Sequence, residues 1–543
     1  MFQHLFAKRP ENLKDDLLAG LTVALALVPE AVAFAFVAGV SPMVGLHAAF
    51  IVGLVAAIAG GRPGMISGAT GAMAVVLVGL GAAIPKHLGL DEGTGGAWLN
   101  DVTLAYICLA VLLAGGIQVL AGVLRLGKLI RIVPHSVMFG FVNGLAIIIF
   151  MAQLTQFKDP ATETWLSTSN MVMMLALVVG TMATIYIVPK LTKAIPAPLA
   201  GIAAISVIVI AFGLDTQRVG DIAKVGGSFP SFAIPGFGTD VQASAEAAGV
   251  TLPGFWTLDT LKLVFPFACI LAAVGLIESL MTMSLIDEMT ETRGRGNREC
   301  VGQGLANVTC GVFGAMGGCA MIGQSMINIQ SGGRGRTSGI AAALFLLAFV
   351  LFGSGLIELI PVAALVGVMF MVVIGTFEWS SLRILHRVPL VDALVIISVT
   401  VITVATENLA LAVLVGVLLA TLAFAWKQAS AITAEHVDRE DGVRDYHLRG
   451  VLFFASVTSF RDHFDVAKDP DEVIIDFAEA KVLDHSAIEA INALTERYQK
   501  AGKKLHLRHL SDDCKRLLGR AATFIDINVM EDPHYKVADD LLD

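Results

Sequence analysis

The chain has 543 residues, of which 56% are hydrophobic and only 15% are charged, and its net charge is −9. The mean hydropathy of +0.76 is far above that of a soluble globular protein, so the composition predicts a polytopic α-helical membrane protein. Residues 431–543 hold 15 Lys and Arg against 23 Asp and Glu, and this acidic balance argues against a nucleic-acid partner, which would need a basic face.

The first half of the apolar region contains seven segments of about membrane-spanning length. The first segment is long and lacks a small-residue cleavage pattern, so we expect no signal peptide. The third segment opens with a cluster of Gly and Thr, which indicates a half-helix entered from irregular backbone. The seven predicted spans are 17–39, 44–60, 66–84, 102–123, 135–156, 170–188 and 197–214.

The second half repeats this order, and its third segment is again short. The sequence therefore predicts fourteen spans, arranged as a seven-plus-seven inverted repeat with repeats at about 14–215 and 258–428, in a transmembrane domain of residues 1–430. The second set of predicted spans is 260–287, 299–315, 319–330, 338–354, 359–377, 389–405 and 408–426.

Lys and Arg residues predict the orientation, because short cytoplasmic loops carry an excess of them. With these clusters inside, both termini lie in the cytoplasm, and we expect a multi-pass protein of the cytoplasmic membrane in contact with lipid. The residues predicted to lie on the inside are Arg62, Arg125, Lys128, Arg131, Lys190, Lys193, Arg293, Arg295, Arg298, Arg334, Arg336, Arg383 and Arg387.

In residues 431–543 the apolar residues follow the patterns of alternating strands and amphipathic helices, which predicts a small α/β domain. In the turn VLDHSAIEAI, Asp484 and Ser486 precede a helical repeat, and capping of the free N–H groups of that helix accounts for both. The six cysteines show no CxxC or ligand spacing, so we interpret them as small buried hydrophobic residues.

Two acidic residues lie inside predicted spans at equivalent places in the two halves. Glu30 follows Pro29 in the first span, and Glu278 lies in the first span of the second half. The broken segments around Thr70 and Ile322 follow 40 and 44 residues later, respectively. Ionisable residues in a membrane are costly, and broken helices near the midplane of an inverted repeat form transport sites. The sequence therefore predicts such a site.

The broken segments SGATGAMAV and GGCAMIGQSMIN contain no Lys or Arg. A positive field would come from the N-terminal N–H groups of the half-helices, together with Thr70 and Gln324, and it suits a small oxyanion. The alternative is that the glycines only allow close packing of helices.

Glu278 and Thr282 are four residues apart, so they share one helix face. An ionised Glu278 would repel an anion unless a proton or Na⁺ neutralised it, which predicts coupled symport. If the cation is Na⁺, Glu278 and Thr282 would be its ligands. The alternative is a protonated structural Glu278. Glu30 could line the cavity or bond to nearby backbone, and Phe34 could meet the anion with its ring edge or serve in packing.

These residues resemble the SulP family of sulfate-permease-type anion transporters, and the resemblance covers essentially the whole chain. It implies a core and a gate that work by an elevator-like movement, usually in a dimer, with a C-terminal STAS domain. The motifs that carry it are PEAVAFAFVAGVSPMVGLHAAF (29–50), SGATGAM (67–73), GLIESLMTM (275–283), the Gly- and Asn-rich series at 302–333, and the tail.

The resemblance also implies particular site residues. Glu278 and Thr282 match the residues that bind Na⁺ in the family's cyanobacterial bicarbonate transporters, and Ser486 matches a phosphorylated serine of bacterial anti-sigma antagonists. Many relatives have Arg where this chain has Gln324, so a fixed positive charge is missing here. The anion site would comprise Pro29, Glu30, Phe34, Thr70, Gly71, Ala72, Ala320, Met321, Ile322, Gly323 and Gln324.

We therefore expect secondary active transport of a sulfate-class or bicarbonate-class anion, or a dicarboxylate, in symport with Na⁺ or H⁺. No enzyme activity and no cofactor other than Na⁺ are expected. The alternatives are an anion exchanger, a nucleobase-type permease, and a membrane sensor whose STAS domain binds a cytoplasmic partner. A permease of the nucleobase type predicts no STAS tail, and a sensor would not need two broken helices.

Overall fold

The computed structural model divides the chain into two compact units, Met1–Val417 and Leu418–Asp543. The first unit is built from helices, and the second contains a four-stranded sheet. The structure describes residues 13–90, 97–128, 134–158, 164–191, 197–222, 227–232, 234–247, 250, 252–384, 387, 389–406, 409–439 and 442–509.

Seven helices in the first half coincide with the seven predicted spans. The third is preceded by a two-residue strand, so the helix starts later than the apolar run that predicts it. Two short helices that were not predicted, α8 (Val219–Ile222) and α9 (Thr239–Ala247), follow the first half. The seven helices and the strand are α1 (Leu13–Val37), α2 (Pro42–Ala59), β1 (Ser67–Gly68), α3 (Gly71–His87), α4 (Ala97–Val123), α5 (His135–Leu154), α6 (Thr168–Leu191) and α7 (Ala197–Ala211).

The second half repeats this order, which confirms the predicted seven-plus-seven arrangement. A further short helix, α15 (Trp379–Ile384), was not predicted. Among the described residues, eight helices are long and apolar enough to cross a membrane, and others are shorter. The elements are α10 (Leu258–Thr290), α11 (Gly296–Val312), β2 (Cys319–Ala320), α12 (Ile322–Gln330), α13 (Arg336–Glu358), α14 (Val362–Thr376), α16 (Leu390–Thr406) and α17 (Leu409–Ala429).

The helices of the first unit pack as two bundles. In the core bundle, α1 to α4 pack against α10 to α13, with α4 against α11 and α1 against α13. In the gate bundle, α5 packs against α16, and α6 packs against α7 and α14. The bundles meet mainly where α1 and α3 contact α5, α7 and α14. Each bundle therefore takes helices from both halves of the chain.

Glycines bring α4 and α11 into backbone contact. A Cβ atom at Gly115 would lie 2.5 Å from the backbone nitrogen of Val308, and one at Gly304 would lie 2.6 Å from the backbone oxygen of Gly115. No larger side chain fits at either position without moving the backbone. Because lipid offers no hydrophobic drive between helices, such close packing is what holds them together.

The two broken segments cross each other in the core bundle. Strands β1 and β2 pair antiparallel, with Ser67 opposite Ala320 and Gly68 opposite Cys319. A Cβ atom at Gly318 would lie 2.0 Å from the carbonyl oxygen of Gly68, so glycine is required at this crossing. Pairing satisfies backbone groups that would otherwise be exposed inside a membrane.

Several arginines gather where α2 ends. The Arg336 guanidinium donates to the carbonyls of Ala57, Ile58 and Gly60, and Arg298 Nε donates to the Ala59 carbonyl at 3.0 Å. These cations satisfy the free carbonyls and oppose the negative end of the helix dipole.

The second unit is an α/β domain with sheet order β3-β4-β5-β6. Strands β4, β5 and β6 are parallel, and β3 is an antiparallel edge. Helix α19 packs its buried apolar side chains on the sheet, as the helical spacing predicted. The elements are β3 (Thr433–Asp438), β4 (Arg444–Leu452), α18 (Val457–Asp462), β5 (Glu472–Val482), α19 (His485–Lys500) and β6 (Lys504–Arg508).

Asp484 caps α19 as predicted, because its carboxylate accepts a 2.9 Å hydrogen bond from the Ala487 N–H. Ser486 differs from the prediction, since it lies inside the first turn of α19 and Asp484 alone is the cap. Four of the cysteines are buried, which agrees with their interpretation, whereas Cys269 is exposed. Cys514 and the rest of residues 510–543 of the predicted domain lie outside the described residues.

Candidate functional site

One turn of α1 carries three of the predicted site residues. Pro29 lies within the helix, and Pro29, Glu30 and Phe34 are all buried. The Glu30 carboxylate accepts a hydrogen bond from the side-chain amide of Gln324, which belongs to α12. The structure therefore joins the acid of the first half to the half-helix of the second. Its partner is neither the nearby backbone nor a charged group.

Phe34 lies against the start of the other half-helix. A Cβ atom at Gly71 would lie 2.9 Å from Phe34 Cε1 and 2.8 Å from Ile149 Cδ1, so the ring packs on the first residue of α3. Glu30 and Phe34 are four residues apart, which corresponds to about 6 Å of rise along α1. The starts of α3 and α12 therefore approach the same turn of α1.

Both half-helices begin with an extended residue that provides no side-chain cap. Thr70 precedes α3 and Met321 precedes α12, and neither side chain bonds to the helix it precedes. The first i to i−4 bonds run from the Ala74 N–H to Thr70 and from the Ser325 N–H to Met321, both at 3.0 Å. Helix geometry leaves the N–H groups before these bonds without helical partners, which creates a positive field at each end.

The space in front of α12 is open at Gly323. A Cβ atom at this position would meet no atom within 4 Å, and Gly323 is exposed although Met321 and Gln324 on either side are buried. Ile322 is half-buried and Ala320 is fully buried in β2. On the α3 side, Ala72 is fully buried. Of the two half-helices, α12 offers the more accessible N-terminus.

A thiol connects the two predicted ligand sites. Cys319 Sγ lies 3.1 Å from Thr70 Oγ1, and it donates to Glu278 Oε2 at 2.9 Å. Cys319 lies in β2 and is fully buried. The acid on α10 is thus linked through one side chain to the residue that precedes α3. Cys319 was not among the predicted site residues, because we interpreted the cysteines as packing residues.

Glu278 and Thr282 lie four residues apart on α10, but their side chains have different hydrogen-bonding partners. Thr282 is fully buried, and its hydroxyl donates to the backbone carbonyl of Glu278 at 2.8 Å. The Thr282 oxygen still has lone pairs that a cation could use. Glu278 is half-buried. Cys319 donates to its Oε2 atom, so Oε1 does not take part in that hydrogen bond.

The site contains two acids and no basic partner among the described residues. Gln324 and Cys319 are the hydrogen-bonding partners of Glu30 and Glu278, and no described Lys, Arg or His forms an ion pair with either acid. Positive potential therefore comes from backbone N–H groups, whereas negative charge comes from side chains.

A polar stripe on α11 holds the crossed strands in place. Glu299, Gln303 and Asn307 are buried and recur every four residues. Gln303 Nε2 donates to Ser67 Oγ at 2.7 Å and to Glu299 Oε1 at 2.8 Å. Asn307 donates to the Gly318 carbonyl at 3.0 Å and accepts from its N–H at 2.9 Å. The sequence analysis did not predict this stripe, although polar residues every four positions in an apolar region indicate one polar helix face.

Two serines complete the support of the strands. Ser279, next to Glu278, accepts from the Ala320 N–H at 3.1 Å. Ser325 Oγ accepts from the Ile66 N–H at 2.9 Å. These hydroxyls pair backbone groups on both sides of the crossing, so the irregular backbone is fixed before any ligand binds.

A cavity of about 310 Å³ lies between the core and gate bundles. It is lined mostly by apolar side chains, among them Ala33 of α1, Val75 of α3, Ile148 of α5 and Val366 of α14.

Broken helices that meet at the centre of an inverted repeat define a class of membrane protein, the secondary transporters. Comparison with known sequences then gives the family. The Sulfate permease family profile matches residues 13–399, and the STAS domain profile matches residues 436–535. The chain belongs to the Sulfate permease family, which confirms the resemblance found in its motifs.

Two curated relatives match over most of their length. "Putative sulfate transporter YbaR" of Bacillus subtilis (strain 168) is 41% identical over 511 residues, which cover 94% of this chain and 97% of that protein. "Bicarbonate transporter BicA" of Picosynechococcus sp. is 30% identical over 523 residues, which cover 90% of this chain and 87% of that protein. Relatives of this kind are transporters and not enzymes, and they support anion transport as the broad function of this chain.

Two solved structures resemble this fold. The transmembrane domain of a cyanobacterium bicarbonate transporter BicA has a TM-score of 0.60 and 30% identity, and covers 74% of this chain and 98% of its own. The murine Slc26a9 anion transporter in the inward-facing state has a TM-score of 0.77 at 16% identity, and covers 97% of this chain and 91% of its own. The second likeness concerns the fold alone.

Proposed function

We propose that this protein is a secondary active transporter that imports a small inorganic anion together with Na⁺ or H⁺. The observation that supports the proposal is the meeting of two uncapped half-helix N-termini at one turn of α1. Beside them lie two acids, the buried Glu30 and the half-buried Glu278, that have no basic partner among the described residues. The N-termini attract an anion. The acids oppose it until a cation is bound.

The donors at the site favour an oxyanion of the sulfate or bicarbonate class, with a dicarboxylate as a further candidate. Backbone N–H groups and the Thr70 hydroxyl donate hydrogen bonds, and such donors suit ligands whose surface consists of acceptor oxygens. The names of the relatives support these two classes, since one is "Putative sulfate transporter YbaR" and the other "Bicarbonate transporter BicA".

The coupling cation would bind at Glu278 and Thr282. Na⁺ prefers oxygen ligands, and a carboxylate oxygen of Glu278 with the Thr282 hydroxyl provides two of them, to which backbone carbonyls can add. A proton on Glu278 would neutralise the same charge. Either cation lowers the electrostatic cost of placing an anion near Thr70, to which Cys319 links Glu278.

Movement of the core bundle against the gate bundle would carry the site across the membrane. The crossed strands, α1 and α10 all belong to the core, so the anion and cation sites would move together. We further propose that both termini face the cytoplasm, that the protein lies in the cytoplasmic membrane, and that it acts as a homodimer.

Uptake into proteoliposomes tests the proposal. The purified full-length protein is reconstituted, and entry of labelled sulfate, bicarbonate, fumarate and a nucleobase, uracil, is measured under imposed Na⁺ and pH gradients. Symport predicts uptake that a cation gradient drives above equilibrium. Uptake that requires an anion inside the vesicle and ignores both gradients would instead establish an exchanger, and accumulation of a nucleobase alone would reject anion transport.

A further inference from the structure

One group of His and Asp side chains in the described part of the chain is unrelated to the transport site. In the second unit, Asp445, His447 and Asp476 each offer one ligand atom, and these atoms all lie within 4.8 Å of one another. Asp445 and His447 belong to β4, and Asp476 belongs to β5. The register of the parallel strands places His447 directly opposite Asp476.

The three side chains lie on the sheet face away from α19. Tyr446, Leu448 and Ile475 belong to the hydrophobic core that α19 covers, and successive side chains of a strand point to opposite faces. Asp445, His447 and Asp476 therefore share the other face. The pairing of β4 with β5 shifts between His447 and Arg449, and such irregularities re-aim side chains.

Two buried carboxylates this close repel each other, and a proton or a cation between them offsets the repulsion. Asp445 is only 4% exposed and Asp476 only 6%. Arg439 pairs with Asp445 through Oδ2, but Asp445 Oδ1 is buried and has no hydrogen-bond partner among the described residues. A buried acceptor without a partner costs free energy, and a bound cation would remove that cost.

Hydrogen bonds orient Asp476 as they orient metal ligands in general. Its Oδ1 accepts from the Ala478 N–H at 2.9 Å and lies 2.7 Å from His509 Nδ1. The other oxygen, Oδ2, faces His447 Nδ1 at 4.0 Å. Partners of this kind fix the ligand geometry before the ion arrives.

We propose that Asp445, His447 and Asp476 form a binding site for a divalent transition-metal ion such as Zn²⁺. A mixed set of imidazole nitrogen and carboxylate oxygen is typical of first-row transition metals, whereas Mg²⁺ and Ca²⁺ prefer oxygen alone. The His447 side chain is 48% exposed, so a fourth position is open to water.

The geometry needs only a small contraction to bind the ion. Ligand atoms of a tetrahedral zinc site are about 3.3 to 3.6 Å apart, as bond lengths of about 2.0 to 2.2 Å require. The present separations are all within 4.8 Å, and the exposed His447 ring can rotate to shorten its 4.0 Å distance to Asp476 Oδ2. The nearby basic groups include Arg439, on Asp445, His509, on Asp476, and Arg508, whose Cα pairs with that of Asp476. Metal affinity must therefore be measured with both arginines present.

Zn²⁺ and Co²⁺ binding to the full-length protein in detergent tests the site. The affinity tag is removed, metals are stripped with a chelator, and titration is followed by calorimetry and by the visible absorption of Co²⁺. We expect one ion per chain, and at least tenfold weaker binding for His447→Ala and Asp445→Asn. His506→Ala is the matched control, because His506 of β6 lies on the same sheet face as the three proposed ligands but pairs with Glu472 at 2.9 Å. The metal affinity of this variant should stay within twofold of the parent's.

Equal binding by parent, His447→Ala and Asp445→Asn would overturn the proposal and indicate an adventitious ion elsewhere on the chain. Absence of a Co²⁺ absorption band at millimolar metal would also overturn it. Asp445 is buried and its variant risks misfolding, so His447→Ala decides the outcome in that case, since His447 is exposed and its loss leaves no internal cavity.

Discussion

The Glu278→Gln variant should uncouple anion binding from the cation. Cys319 Sγ lies 2.9 Å from Glu278 Oε2 and 3.1 Å from Thr70 Oγ1, so the two oxygens are at most about 6 Å apart. At an effective dielectric constant of about 20, unit charges roughly 6 Å apart attract by about 2.8 kcal/mol. That attraction corresponds to about a hundredfold in affinity. A cation at Glu278 should therefore tighten binding of an anion near Thr70 by about this factor.

The assay is initial uptake into proteoliposomes across a range of anion concentrations. For the parent protein, if Na⁺ is the coupling ion, replacing saturating Na⁺ by choline at constant pH should raise KM about a hundredfold. If H⁺ is the coupling ion, removing the inward pH gradient should raise KM in the same way. For Glu278→Gln, the ratio of the two KM values should fall below about threefold, because the neutral amide no longer binds the cation.

Glu288→Gln is the matched control, since Glu288 lies on the same helix but is exposed. It should keep the cation dependence of the parent. A Glu278→Gln protein that elutes as a single species, transports, and still shows the full dependence on Na⁺ or H⁺ would refute the reasoning. A parent protein whose KM ignores both cations would refute it equally.

Further predictions concern the half-helices, the bridging thiol and the sheet domain. A methyl at Gly71 would meet the α1 ring at 2.9 Å, so Gly71→Ala should lower both thermal stability and uptake, whereas Gly323→Ala meets no atom within 4 Å and should raise KM several-fold at unchanged stability. Cys319→Ser should retain most uptake because a hydroxyl can make both hydrogen bonds, and Cys319→Ala should weaken the cation dependence. Burial and the hydrogen bond to Asp469 raise the pKa of Tyr446 to about 12. Its contribution to stability is complete below about pH 10 and is lost as the pH rises towards 12. Tyr446→Phe should reduce the alkaline loss of stability, measured as the denaturant midpoint at each pH, but should not abolish it, because Tyr498 donates to the same Asp469 carboxylate and its pKa is also raised.

Specific results would contradict these predictions. A stable, fully active Gly71→Ala protein would show that the α1 ring does not pack on α3. An unchanged KM for Gly323→Ala would exclude that position from the anion site. Full cation dependence in Cys319→Ala would leave the thiol without a coupling role. An alkaline loss of stability as large in Tyr446→Phe as in the parent would assign it entirely to other groups.

Much of the transmembrane fold could be predicted because it depends on local properties of the chain. Apolar runs of spanning length become helices in lipid, where every backbone group must be paired within its own segment or with a close partner. The breaks before Gly71 and Ile322 were recognisable because Gly-rich sequence interrupts such runs at matching places. The short helices α8, α9 and α15 were not predicted, because they are brief and lie between the apolar segments.

The candidate site could be predicted only in part. Glu30 and Glu278 stand out in the sequence because an ionisable residue in a membrane is costly. Their partners do not stand out, since Gln324 is 294 residues from Glu30 and Cys319 is 41 residues from Glu278. Which polar groups meet depends on how the helices pack.

The sequence by itself determined the membrane class, the order of the fourteen long apolar segments, and the positions of the two acids and the two breaks, because hydropathy and glycine act along the chain. Only the tertiary structure decided that β1 and β2 cross, that Cys319 links Thr70 to Glu278, and that His447 lies opposite Asp476. These contacts depend on the register between distant segments, which is fixed when backbones pack closely at glycines such as Gly318.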